Sequence, residues 1–121
     1  MNHKIAVLLV DDHILVRRGF RRMLEDDPEI DVVGEAGDGN EAVELAAALK
    51  PRVVVMDFAL PSMNGAVATR LIRKASPDVE VLMLSMHAEA NYVRTCLDAG
   101  ARGYLLKDDA DDSLLAVDVE P

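Results

Sequence analysis

The chain has 121 residues, a net charge of −9 and a pI near 4.6, with 50% hydrophobic and 29% charged residues. That is the length of one compact domain, with a composition that folds. The charge argues against direct nucleic-acid contact. The single cysteine, Cys96, excludes an internal disulfide framework. No apolar run approaches the ~20 residues of a membrane span. Met1 to Lys4 leads straight into an apolar segment with no signal-peptide pattern, so a reducing, cytoplasmic location is expected. Aromatics make up only 3%, so the core must be aliphatic, helped by methionine.

The predicted elements alternate along the chain. Ile5–Val10 is a short continuous apolar run, as strands buried on both faces are. A first helix follows, with Ile14, Phe20, Met23 and Leu24 roughly on one face and Arg17, Arg18, Arg21 and Arg22 as a basic cluster. That cluster reads as a solvated helix face, with an acidic partner or the chain's acidic tail as the weaker alternative. Residues 30–33 are a weaker strand candidate. Ala42, Val43, Leu45, Ala46 and Leu49 mark a second helix, which Pro51 ends. Residues 53–56 form the third strand. A third helix runs from Asn64 to Lys74, with Val67, Leu71 and Ile72 read as inward. Residues 79–84 make the fourth strand. A fourth helix extends from about Glu89 to Ala99 and is closed by Gly100. Residues 103–106 are the second weaker strand. A fifth helix is expected from Asp111 or Asp112, inside a stretch (108–121) holding six acids and no base. Five β-α units with short connections predict one parallel sheet with helices on both faces, and a site in the crevice at the strands' carboxyl ends.

Functional groups follow the strands directly: Asp11 and Asp12 the first, Asp57 the third, Ser85 the fourth, Lys107 the fifth. Three carboxylates at one edge repel, and a hard cation such as Mg2+ relieves the repulsion. A lysine opposite can hold a second anion, and a serine can donate to it. The set suits phosphoryl transfer, with a carboxylate as nucleophile. Each residue alone has a plainer role: Asp11 and Asp12 as helix caps, Asp57 in a loop, Ser85 in a turn, Lys107 in solvent. Their joint placement favours the chemistry. His13 and His87 read as loop residues beside the site, and Cys96 as a small, partly buried apolar residue.

The motifs are Asp11-Asp12-His13, residues 56–65 (MDFALPSMNG), residues 83–87 (MLSMH) and residues 100–108 (GARGYLLKD). In this order they resemble the receiver domain of two-component response regulators over nearly all of residues 4–117, and specifically the NarL/FixJ (LuxR-type) branch. The resemblance implies a flavodoxin-like (βα)5 three-layer sandwich with sheet order 2-1-3-4-5. It implies a signalling phosphoacceptor, not an enzyme acting on outside substrates. Asp57 would take a phosphoryl group from a sensor histidine kinase or from acetyl phosphate. Asp11, Asp12, Asp57 and the Ala59 backbone carbonyl would hold Mg2+. Lys107 would pair with the phosphoryl group, Ser85 would hydrogen-bond it, and Tyr104 would follow as the switch aromatic. The side chains of Ala59 and His87 would sit where the family modulates dephosphorylation. The whole chain, 1–121, is then one receiver domain with no C-terminal DNA-binding domain in it; that branch usually carries a helix-turn-helix domain for transcriptional output. A homodimer is allowed, although residues 114–121 are shorter and more acidic than the family's usual final helix. A flavodoxin-like electron carrier fits poorly, because Asp11-Asp12-His13 would repel a flavin phosphate. A haloacid-dehalogenase-type phosphatase lacks its second aspartate, since Ala59 stands there. A pseudo-receiver is disfavoured by the complete residue set.

Overall fold

The computed structural model describes residues 4–85 and 90–106. They form β1 (Ile5–Val10), α1 (Ile14–Glu25), β2 (Ile30–Ala36), α2 (Gly39–Leu49), β3 (Val53–Asp57), α3 (Gly65–Ala75), β4 (Glu80–Ser85), α4 (Ala90–Asp98) and β5 (Gly103–Leu106). All pairings are parallel, and the sheet order is β2-β1-β3-β4-β5. The expected fold and strand order are present. The fifth helix expected near Asp111, loop 86–89 and Lys107 lie outside the described residues.

Period-two alternation explains why the central strands β1, β3 and β4 are mostly apolar: both of their faces are covered. In β1, Val7 and Leu9 face α1 and pack in one core with Leu24, Ile30, Val55 and Leu82. Leu8 and Val10 face the other way and join Val54, Met56, Val81 and Met83 under α2, α3 and α4. Helices therefore cover both faces of the central strands, while β2, at the sheet edge, keeps exposed Asp31 and half-buried Glu35.

Local signals set the helix ends. The Asp38 carboxylate caps α2 by accepting from the Glu41 amide at 2.8 Å, while Glu41 reaches back to the Gly37 amide at 2.8 Å. Asn64 Oδ1 caps α3 by accepting from the Val67 amide at 3.0 Å. After α4, Gly100 takes φ 111°, and the Ala101 amide donates to the Cys96 carbonyl at 3.0 Å. That is a Schellman closure, and it needs glycine.

Three details differ from the sequence reading. In α3, Val67 and Leu71 are exposed, and Gly65, Ala68, Thr69 and Ile72 are buried. The buried set follows the i, i+3, i+4, i+7 spacing, and its small side chains let the helix lie close to the sheet. In α1, Ile14 is 55% exposed beside exposed Leu15 and Val16, so the inward face begins with half-buried Phe20 and Met23 and buried Leu24. β2 runs on to Ala36, past Gly34, where the pairing slips between Val7 and Leu8. A Cβ at Gly34 would lie 2.8 Å from Leu49 Cδ1, so this glycine admits α2 against the strand and does not break it.

Candidate metal and phosphoryl site

Strand register brings the functional groups level. Val10 pairs with Met56 and Asp57 with Leu84, so Asp11 and Asp57 leave neighbouring strands at one height. Ser85, the last residue of β4, pairs with Leu106 on β5. The Asp11 amide donates to the Ala36 carbonyl at 3.1 Å, and the Phe58 amide to the Leu84 carbonyl at 3.1 Å. The sheet thus extends its hydrogen bonding by one residue and fixes both carboxylate-bearing positions. Asp11, Asp57 and Ser85 are buried, at 2%, 5% and 2% exposure, and each has polar interactions.

Asp11, Asp12, His13 and Asp57 each offer an atom within 4.8 Å of all the others. At that spacing two carboxylates repel by roughly 3 kcal/mol at an effective dielectric near 20. Local donors offset part of this. Asp11 Oδ1 accepts from the His13 amide at 2.9 Å, and Asp57 Oδ1 lies 3.4 Å from the Ala59 amide. The His13 ring Nδ1 lies 3.0 Å from Asp12 Oδ1 and 3.5 Å from Asp11 Oδ1. Neither Asp11 nor Asp12 caps α1: the N-cap is His13, with no side-chain cap bond. The plainer reading of the pair as helix caps therefore falls away. Three carboxylates converging on one point are an oxygen donor set that fits a hard divalent cation.

Of the residues singled out in the sequence, Asp11, Asp12 and Asp57 come together. Ser85 lies at the next strand end. Ala59 sits on the exposed loop after β3, with its amide towards Asp57. Tyr104 lies on β5, half-buried against the core beneath α2 to α4. Lys107 and His87 lie outside the described residues. Cys96 is wholly buried, and burial pushes its thiol up to about 11.

Two things escaped the sequence reading. His13 is part of the cluster through its ring, although it does not supply an oxygen. The arginines of α1 are also more than a solvated face. Arg17 is largely buried and bonds both Glu35 on β2 and the Asp11 carbonyl, while Arg21 bonds Glu35 and Glu25. The Arg21 guanidinium first, and Arg17 second, hold the Glu35 carboxyl below the usual carboxylate range, against the opposing effect of burial. An arginine pair one turn apart was visible in the sequence; its glutamate, on β2, was not.

Comparison with known proteins agrees with this geometry. A family model described as the response regulator receiver domain matches residues 7–117. Transcriptional regulatory protein DegU of Brevibacillus brevis is 46% identical over 118 residues, which is 97% of this chain and 50% of that protein. Response regulator UvrY of Escherichia coli K12 is 48% identical over 103 residues, 85% of this chain and 47% of that one. The chain thus spans about half the length of these relatives. A crystal structure of a LuxR-family two-component response regulator from Aurantimonas sp. SI85-9A1 superposes with a TM-score of 0.89 at 38% identity, over 94% of this chain and 82% of that one.

Proposed function

Given that this chain belongs to the response regulator receiver domain family, with LuxR/NarL-type relatives, we propose that Asp57 is its phosphoacceptor. The observation that carries the reading is the convergence of Asp11, Asp12 and Asp57 at the carboxyl edge of the sheet. A carboxylate oxygen of Asp57 attacks the phosphorus of the donor. An O–P bond forms, and the bond from phosphorus to the kinase histidine nitrogen breaks. The electron pair stays on the imidazole, which takes a proton from solvent. With acetyl phosphate the leaving group is acetate.

Asp11, Asp12, Asp57 and the Ala59 carbonyl would hold Mg2+, whose charge neutralises the carboxylates and the phosphoryl oxygens. Lys107, which follows β5 in the sequence, would pair with the phosphoryl group. The Ser85 hydroxyl donates to one of its oxygens. Phosphorylation adds about −1.5 to −2 charge and three acceptor oxygens, so the arrangement in which Ser85 reaches the group is favoured. Tyr104, on the strand beside Ser85, follows and passes the change to the α4–β5 face.

In this reading residues 1–121 are one receiver domain, a signalling phosphoacceptor that catalyses only its own phosphorylation and dephosphorylation. Its partners are a sensor histidine kinase and, on activation, a second copy of the chain. It works in the cytoplasm and does not itself touch nucleic acid. Among the described residues no helix is long and apolar enough to cross a membrane. Output is transcription through a helix-turn-helix domain outside these residues; DegU's description as a transcriptional regulatory protein and the relatives' doubled length support this. The test is incubation with radiolabelled acetyl phosphate. Label retained on the protein with Mg2+ and lost with a chelator is expected. A folded protein that stays unlabelled in both overturns the reading.

A further inference from the structure

Arg17 lies in the first turn of α1 and divides its donors between two partners. Nε donates to Glu35 Oε1 at 2.7 Å, and Nη1 donates to the main-chain oxygen of Asp11 at 2.5 Å. The other Glu35 oxygen accepts from Arg21, one turn further along α1. On its other side, the Asp11 amide donates to Ala36 at the end of β2. The Asp11 backbone is therefore tied to β2 twice, once directly and once through Arg17 and Glu35. Its side chain then accepts from the His13 amide. A brace between α1 and β2 could end anywhere along the strand. This one ends on the residue that brings a buried carboxylate to the acidic cluster.

We propose that Arg17 is a positioning residue for that cluster: with Glu35 it fixes the turn at Asp11–His13 so that Asp11 and Asp12 present their carboxylates together to a divalent cation. The inference rests on the Mg2+ reading above. Its sign separates it from simple electrostatics. Removing a positive side chain beside three carboxylates raises the negative potential and, by charge alone, tightens cation binding. Loss of a supporting partner behind the ligands instead loosens them and weakens binding.

Arg73 provides a control. Its Nη1 donates to the carbonyls of Pro77 at 2.5 Å and Val79 at 2.7 Å and to Glu80 at 3.0 Å, a brace of the same kind at the opposite end of the sheet. The experiment is a Mg2+ titration of the 15N-labelled chain, following backbone amide shifts, for wild type, Arg17→Met, Arg17→Lys and Arg73→Met. Thermal unfolding without metal is measured on the same samples. Arg17→Met is expected to raise the Mg2+ Kd about tenfold, the lower end of the range for lost supporting partners. Arg73→Met is expected to lose comparable stability and keep the wild-type Kd. Arg17→Lys, which keeps the charge but replaces the planar fork by one ammonium nitrogen, is expected to fall between. A Kd in Arg17→Met equal to or tighter than wild type overturns the inference while leaving the Mg2+ site in place. A weakening of equal size in Arg73→Met overturns it too, because a general loss of stability would then suffice. A wild type without a saturable response overturns the Mg2+ reading and this inference together. Should Arg17→Met not fold, Arg17→Lys decides: a weaker Kd supports the role, and an unchanged one refutes it.

Discussion

At Gly65, α3 lies tight against the strand that carries Asp57. A Cβ built there would lie 2.8 Å from the Asp57 carbonyl oxygen and 3.0 Å from Phe58 Cα, and would also overlap Met83 Cε. The methionine end can swing away, but the backbone atoms cannot. The Phe58 amide is bonded to Leu84 at 3.1 Å, and the Gly65 amide to the Phe58 carbonyl at 2.7 Å. Gly65→Ala must therefore shift α3 outward or push the end of β3. Overpacking of this kind costs about 1–3 kcal/mol, and at the first helical position alanine's propensity recovers under 1 kcal/mol of it. A net loss of about 2 kcal/mol is expected, which for a domain of this size lowers Tm by roughly 8 °C. Gly19 is the matched case, in the middle of α1 with nothing within 4 Å of a built Cβ. Gly19→Ala should stabilise by about 0.5–1 kcal/mol, because only the conformational freedom of glycine is lost. Thermal unfolding followed by far-ultraviolet circular dichroism measures both. Opposite signs are predicted. A Gly65→Ala variant as stable as wild type would refute the close approach of α3 to Asp57.

Other consequences can be checked on the same protein. The Glu35 carboxyl is lowered chiefly by Arg21, so its contribution to stability is full above the usual carboxylate value of 4.5 and is lost as pH falls through the folded value. Wild type should exceed Glu35→Gln by about 1 kcal/mol at pH 7, and urea unfolding repeated below pH 4 should show the gap closing; a gap independent of pH would contradict the ion pairing. Cys96 is buried with its thiol raised to about 11, so a thiol reagent at pH 8 should leave the native protein unmodified and react fully in denaturant. Ile72→Ala, at 1% exposure in the core under α3, should cost about 3 kcal/mol, whereas Leu71→Ala one residue earlier should cost well under 1 kcal/mol as a surface change. Equal losses at the two positions would mean that the face of α3 is misassigned.

The last pair shows where the sequence misleads. Choosing the larger apolar residues Val67 and Leu71 as the inner face of α3 fails because the helix packs through Gly65, Ala68 and Thr69. Close packing rewards small side chains there, and hydrophobicity alone does not reveal it. Strands were easier. β1, β3 and β4 are buried on both faces and read as unbroken apolar runs. β2 looked shorter than it is, because Gly34 resembles a breaker until α2 is seen lying over it. The candidate site was legible because a parallel sheet delivers whatever follows its strands to one edge, so Asp11, Asp12 and Asp57 could be grouped from their positions after apolar runs. The Arg17–Glu35 brace was not legible, because it depends on how α1 crosses β2. That crossing is a matter of packing, and no spacing between residues 17 and 35 encodes it.

The proposal stands on whether Asp57 itself receives the phosphoryl group. The direct measurement is the intact mass of wild type and of Asp57→Asn after incubation with acetyl phosphate and Mg2+, with folding of both confirmed beforehand. The mass of one added phosphoryl group is expected on wild type and none on the variant. A folded wild type that gains nothing, or a variant that gains as much as wild type, would contradict it.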